Sequence, residues 1–218
     1  MRKNLVHFAV LFVSLTGLCA AQSGKVEPLE LPADSAIPQA VRNVLATQGY
    51  RVKIADNSVA CEIWLRKSVP GEGKKTTTDT LYGQLAESTL LGVISFPQPT
   101  TDYRGQPIKA GAYTLRYELL PNDGNHLGVA PNRDFLLLVP AASDTDPEKQ
   151  FKFEELVNLS RQATGTRHPG PLSLVQAAGG APSVSRDDED HWVFSATLKL
   201  ASGEDLAFSL VVKGTAPQ

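Results

Sequence analysis

Ala112-Tyr113-Thr114-Leu115-Arg116-Tyr117-Glu118-Leu119-Leu120 is the stretch on which the reading of this chain turns. Side chains of an extended backbone alternate between two faces. Tyr113, Leu115, Tyr117 and Leu119 therefore share one face, and Thr114, Arg116 and Glu118 share the other. This is a strand with one face made for a core. The same period returns near the C-terminus. There Trp192, Phe194, Ala196, Leu198 and Leu200 alternate with Val193, Ser195, Thr197 and Lys199. Ser202-Gly203-Glu204-Asp205 turns the chain, and Leu206, Phe208, Leu210 and Val212 come back as a hairpin partner.

Working outward, residues 50–54 and 59–66 read as a strand pair joined at Asp56-Asn57, with Val59, Cys61, Ile63 and Leu65 on one face. Residues 90–96 give a mostly apolar strand. Residues 135–139 are apolar on both faces, as in a central strand covered on both sides. Helical spacing is confined to two places. Residues 36–46 carry Pro38 at a first turn, a Val41, Val44, Leu45 stripe, and Gly49 as a stop. Residues 151–163 carry Phe153, Leu156, Val157 and Leu159. Strands do not alternate with helices, which disfavours a parallel α/β fold. The expectation is a mainly β chain: an antiparallel two-sheet β-sandwich with one or two peripheral helices.

Met1-Arg2-Lys3-Asn4, an uncharged run over residues 5–18 and Cys19-Ala20-Ala21 have the order of a secretory signal peptide. The run is short of the about 20 residues that cross a bilayer. The expected organisation is a leader over residues 1–21, a flexible lead-in over 22–34 and a single sandwich domain over 35–218. It has no transmembrane segment in the mature chain and a periplasmic or secreted location. Cys19 follows Leu18, whereas lipidation wants a small residue before the cysteine. Cleavage leaves Cys61 as the lone thiol, expected to pack as a small hydrophobe.

The chain has 21 basic and 23 acidic residues. Losing Arg2 and Lys3 with the leader leaves 19 basic against 23 acidic residues, a net charge of −4. No basic surface of the kind a nucleic-acid binder needs is legible.

Candidate chemistry lies in loops. His126 follows Asn122-Asp123-Gly124-Asn125, His168 precedes Pro169-Gly170, and His191 follows Asp187-Asp188-Glu189-Asp190. Imidazole is the commonest metal ligand and changes charge nearest neutral pH. His126 and His168 are therefore the first candidates, with Asp123 and His191 behind them. No pair has the spacing that sets two ligands on one helix, and the plainer account is three separate turn histidines. The acidic run and the Asp123 turn offer oxygen ligands, but neither matches a twelve-residue calcium loop. Trp64 falls on the polar side of its strand between Glu62 and Arg66. It can stack on a sugar ring or anchor a partner, or it can be covered by the helix or a loop, and covering is the favoured expectation. No Gly-x-Ser-x-Gly elbow or phosphate loop is present.

Residues 108–115, Ile-Lys-Ala-Gly-Ala-Tyr-Thr-Leu, and the stretch from Asp123-Gly124-Asn125-His126 through Arg133-Asp134-Phe135 to Val139-Pro140 resemble uncharacterised secreted bacterial β-sandwich proteins. The resemblance covers about a third of the chain. It implies the fold and the compartment and carries no activity. The expected function is an exported, non-catalytic binding or accessory protein of the bacterial envelope, whose partner is an unknown ligand or envelope protein. A metal-dependent enzyme built on the loop histidines and a structural envelope protein acting through subunit contacts are the alternatives. Metal and cofactor are unknown. Processing tests the leader directly. Intact-mass analysis of exported protein should give a chain beginning at or near Gln22 without lipid, and a diacylated Cys19 terminus would overturn that.

Overall fold

Tyr113, Leu115, Tyr117 and Leu119, the core-facing set of the deciding stretch, are buried on one face of strand β7 (Gly111–Leu119). They pack with Phe194, Leu198, Phe208 and Leu210, the inward set of the C-terminal hairpin, in one core. The computed structural model describes residues 24–32, 36–71, 80–121, 132–177 and 179–216. The strands are β1 (Lys25–Glu30), β2 (Gln48–Lys53), β3 (Val59–Leu65), β4 (Leu90–Phe96), β5 (Thr100–Thr101) and β6 (Pro107–Ile108). After β7 follow β8 (Asp134–Pro140), β9 (Pro171–Ser173), β10 (Ser183–Arg186), β11 (Trp192–Lys199) and β12 (Asp205–Lys213). The helices are α1 (Gln39–Val44) and α2 (Phe153–Thr164), with a 3-10 turn at Ala141–Ser143.

The architecture is an antiparallel β-sandwich. One sheet has seven strands in the order β1-β2-β3-β4-β7-β8-β9, the other has three, β10-β11-β12, and β5-β6 is a separate small hairpin. Aromatic rings meet between the layers: the ring centroids of Tyr50 in β2 and Phe194 in β11 lie 5.4 Å apart, and that of Tyr82, in the segment between β3 and β4, lies 5.6 Å from that of Phe208 in β12. Backbone bridges Val69–Leu200 and Leu174–Leu210 join the sheets at their margins. Both edge strands of the large sheet contain proline, Pro28 in β1 and Pro171 in β9. Proline cannot donate to a ladder, so it is tolerated at an edge and discourages further pairing there.

The large sheet is covered on its second face as well. Ile37, Val41 and Leu45 from the α1 region pack on Trp64, Leu90 and Val93. Leu156 and Val157 of α2 pack on Phe135, Leu137 and Val139 of β8. This is why β8 is apolar on both sides. Helix α2 keeps Glu154 and Glu155 in its first turn and Arg161 in its last, matching the helix dipole. It stops at Gly165, whose φ of 66° is the left-handed cap that glycine adopts without penalty.

Three expectations are corrected. Residues 25–30 form β1, paired along its length with β2, where a flexible lead-in was expected. The first helix is shorter than residues 36–46, because Leu45 is already extended and bridges Arg66. Gly49 does not stop that helix; it sits in β2, where an added Cβ would collide with the Trp64 ring and the Ile63 carbonyl oxygen.

The polar face of β7 is buried too. Arg116 and Asp144 are each 0% exposed and form a bidentate pair, Nε to Oδ2 at 2.8 Å and Nη2 to Oδ1 at 2.7 Å. Arg116 also donates to the carbonyl oxygens of Ser88 (2.8 Å), Lys149 (2.9 Å) and Asp146 (2.8 Å). That fills all five guanidinium N–H groups. Thr114 Oγ1 donates to Asp144 at 2.7 Å, and the Phe151 ring lies 4.9 Å from the guanidinium carbon. Nearby, Arg66 donates to the Pro147 carbonyl oxygen and pairs with Glu148. The segment leading into α2 is thereby pinned to the sheet.

Removing one partner of such a pair leaves a buried charge uncompensated, at a cost of about 3–5 kcal/mol. Arg116→Met and Asp144→Leu should each lose about that much in urea unfolding. The double substitution should recover a large part of it. Single losses below about 1 kcal/mol, the range of exposed pairs, would show that the pair is solvated.

Candidate functional site

His168 is exposed and sits on the connection from α2 to β9. That connection is held by a ladder of short polar contacts. Thr164 Oγ1 donates to the His168 carbonyl oxygen at 2.7 Å, and the His168 N–H donates to Thr166 Oγ1 at 3.0 Å. Thr166 Oγ1 donates to Gln106 Oε1 at 2.8 Å, and Gln106 Nε2 donates to the Pro169 carbonyl oxygen at 2.8 Å. Gln106 belongs to the β5–β6 turn, which is organised by buried Asp102. The Asp102 carboxylate accepts the Arg104 N–H (3.0 Å), the Gln106 N–H (2.8 Å) and Gln106 Nε2 (2.7 Å). Burial raises the Asp102 carboxyl above its ordinary range, and the hydrogen bonds from Gln106 and Arg104 pull it back. Two loops, one carrying Arg104 and one carrying Arg167 and His168, are thus tied side by side.

Between them and α2 lies a groove of about 100 Å³. Its base is apolar: buried Phe135 and Val157, with half-buried Phe153 and Pro169. Arg104, Arg167, His168 and Glu154 line it as exposed groups, and Arg161 lines it half-buried. The Nη1 of Arg161 donates to Asn158 Oδ1, while its Nε is a buried donor without a partner among the described residues. An apolar base with a few convergent polar groups is the general form of a small-molecule site. The wider depression of about 450 Å³, lined by Ile54, Val59, Ala60, Pro99, Thr100 and Lys213, has Lys213 as its single charged group.

Of the other sequence candidates, His191 and Trp64 do not join this groove. His191 is 4% exposed and packs edge-on to Tyr103 at 5.5 Å. Its Nε2 lies 2.9 Å from the Thr215 carbonyl oxygen, and its Nδ1 lies 3.3 Å from Asp187 and 3.6 Å from Glu189. The acidic run is the β10–β11 turn. Asp187 accepts the Glu189 and His191 N–H groups at 3.0 and 2.8 Å, and Asp190 adopts a left-handed φ of 66°. Its oxygens serve the turn. Trp64 is 1% exposed beneath α1, so it offers no stacking face at the surface; the covered alternative holds. His126 and Asp123 lie outside the described residues. Among the described residues, no three His, Cys, Asp or Glu side chains are grouped to hold a metal. Cys61 is buried, and burial pushes its thiol well above the usual range, which makes it unreactive.

Sequence reasoning selected His168 and missed Arg104, Arg161 and Arg167. The Arg167-His168 dipeptide was the one local sign. It also passed over Glu118, on the covered face of β7 and 1% exposed. Burial pushes the Glu118 carboxyl up to about 7, the Leu119 N–H offsets this in part, and the Glu87 carboxylate adds to it. Glu118 does not line the groove. Comparison with family models, with curated proteins and with solved structures finds no match for this chain.

Glu118 makes stability depend on pH. The folded chain keeps its proton to about pH 7, whereas the unfolded chain releases it near the ordinary 4.5. Its contribution is fully present below that lower value and is lost as pH rises through about 7. Glu118→Gln should therefore gain stability relative to the parent as urea melts are moved upward across that window. A difference that stays constant with pH would show that Glu118 ionises normally.

Proposed function

We propose that this chain is an exported, non-catalytic binding or accessory protein of the bacterial envelope, with the groove between α2 and the 165–170 connection as its binding site. The observation that carries the reading is the groove itself: a buried apolar base meets several converging side chains, and both walls are fixed by hydrogen bonds before any ligand arrives. Preset geometry lowers the ordering cost of binding. The non-catalytic part is supported by the use of the buried charges. Arg116, Asp144, Asp134 and Asp102 hold backbone groups and one another in place. Export is supported by the leader-like order of residues 1–21.

The test uses the full chain expressed in a Gram-negative host and recovered by osmotic shock. A thermal-shift screen against a mixed panel of anionic, neutral and cationic metabolites should yield stabilising compounds. A ligand at about 100 times its Kd stabilises by about 2.7 kcal/mol. Val157→Phe, which narrows the groove, should abolish that stabilisation while keeping a native circular-dichroism spectrum. Retention of about one metal ion per chain after chelator-free purification would instead favour the metal-dependent enzyme. Concentration-dependent assembly without any stabilising compound would favour the structural envelope protein.

A further inference from the structure

We infer that the groove takes a small amphipathic anion: one carboxylate or phosphate head joined to an apolar group smaller than a benzene ring. The inference rests on the binding reading above and adds the class of ligand. Three arginines, Arg104, Arg161 and Arg167, and His168 line a single groove of about 100 Å³, against one acidic residue, Glu154. This concentration of positive charge occurs in a chain whose net charge is −2. Four arginines elsewhere in the fold are paired with carboxylates: Arg51 with Glu62, Arg66 with Glu148, Arg116 with Asp144 and Arg186 with Asp190. Arg104, Arg161 and Arg167 are in no salt bridge among the described residues.

The helix dipole explains Arg161, which sits in the last turn of α2. It does not explain Arg104 on the β5–β6 turn, or Arg167 beyond the helix end, both held beside it by the Gln106 and Thr166 contacts. An anion lying among the three relieves their mutual repulsion, which Glu154 and, for Arg104, the nearby Asp102 carboxylate offset only in part. The guanidinium fork matches a carboxylate or phosphate bidentately, which a cation or neutral ligand cannot use.

The apolar part follows from the base. Phe153 and Pro169 line the groove half-buried, so a purely inorganic anion would leave their apolar surface without a partner. Size limits it from above. About 100 Å³ is roughly three water volumes, and a cavity of about 150 Å³ is what holds benzene. The groove seats a short branched or linear alkyl group; a long acyl chain or a stacked base would extend out of its open side.

The experiment is a titration of the uniformly ¹⁵N-labelled mature chain followed by amide shifts. The probes are isobutyrate, propyl phosphate, inorganic phosphate, isobutyramide and isobutylamine. At least one of the first two should saturably shift the amides of α2 and of the 165–170 connection, and which one does so identifies the head. Its affinity should exceed that of isobutyramide and of inorganic phosphate by about tenfold or more, the factor one charge-assisted contact supplies. Arg104→Gln and Arg167→Gln, both at exposed positions, should each weaken it by about the same factor while the rest of the spectrum is unchanged. Equal binding of isobutyramide in the groove would overturn the anion class and leave the binding reading intact. Equal binding of inorganic phosphate would overturn the amphipathic class. Shifts confined to another surface, or none with any probe, would overturn the assignment of an anion to this groove. In that case the metabolite-panel screen with Val157→Phe decides the binding reading separately.

Discussion

The buried pair of Arg116 and Asp144 fixes more of this structure than any other contact. Two opposite charges with no solvent exposure sit on the second face of β7, where each would cost several kcal/mol if left unpaired. They are tolerated because the satisfaction is complete. Five guanidinium donors meet a bidentate carboxylate and three carbonyl oxygens, and Asp144 gains a further bond from Thr114. Such a network adds little net stability over a well-packed apolar core. What it does is make alternative paths expensive. Only one course of residues 144–151 brings the Asp146 and Lys149 carbonyl oxygens to the same guanidinium. Helix α2 begins two residues later, so the network also sets how α2 lies across β8.

The same device recurs on a smaller scale. Asp134, at the start of β8, accepts the Leu81 and Tyr82 N–H groups at 3.2 and 2.7 Å. Tyr82 then donates its hydroxyl to Val175 in the neighbouring connection and accepts the Ser209 N–H of β12, so a buried carboxylate on one sheet indirectly fixes the other. Asp102 does for the β5–β6 turn what Asp134 does for the 80–82 segment. With Cys61 buried and alone among the described residues, no disulfide holds these loops. Buried carboxylates collecting backbone N–H groups take that role, and each collects at least two, which is the condition for burying a charge cheaply.

Legibility in the sequence followed how local the physics was. Strand alternation is a property of a few consecutive residues, so β3, β4, β7, β8, β11 and β12 could be read nearly to their ends. The edge strands β1 and β9 could not, because Pro28 and Pro171 argue against a strand unless the edge position is known. Alternation also says which residues share a face, and not what covers that face. Trp64, Thr114, Arg116 and Glu118 lie on the side marked polar, and all four are buried because α1, α2 and the segment between β8 and α2 close over it. The candidate site was legible in one residue. His168 stands out by type, whereas Arg104, Arg161 and Arg167 look like ordinary solvated charges until a turn and a helix end are brought together.

The contrast between the arginines sets the groove apart from the buried networks. Arg116 and Arg104 carry the same group in opposite circumstances. One has every donor filled by its own chain and is sealed from water; the other stands exposed at the rim of an apolar hollow beside two more of its kind. Both circumstances are produced by the same structural logic. The Arg116 network places α2, with Val157 and Arg161, while Asp102 and Gln106 place Arg104 and, through Thr166 and Pro169, the loop of Arg167 and His168. Two independent networks thus hold the two walls of one groove, and neither uses the groove's own guanidinium groups to do so. A wall that depended on those groups would have to give them up when a ligand arrived. Here they are already positioned and still available, which is the arrangement in which binding requires the least rearrangement.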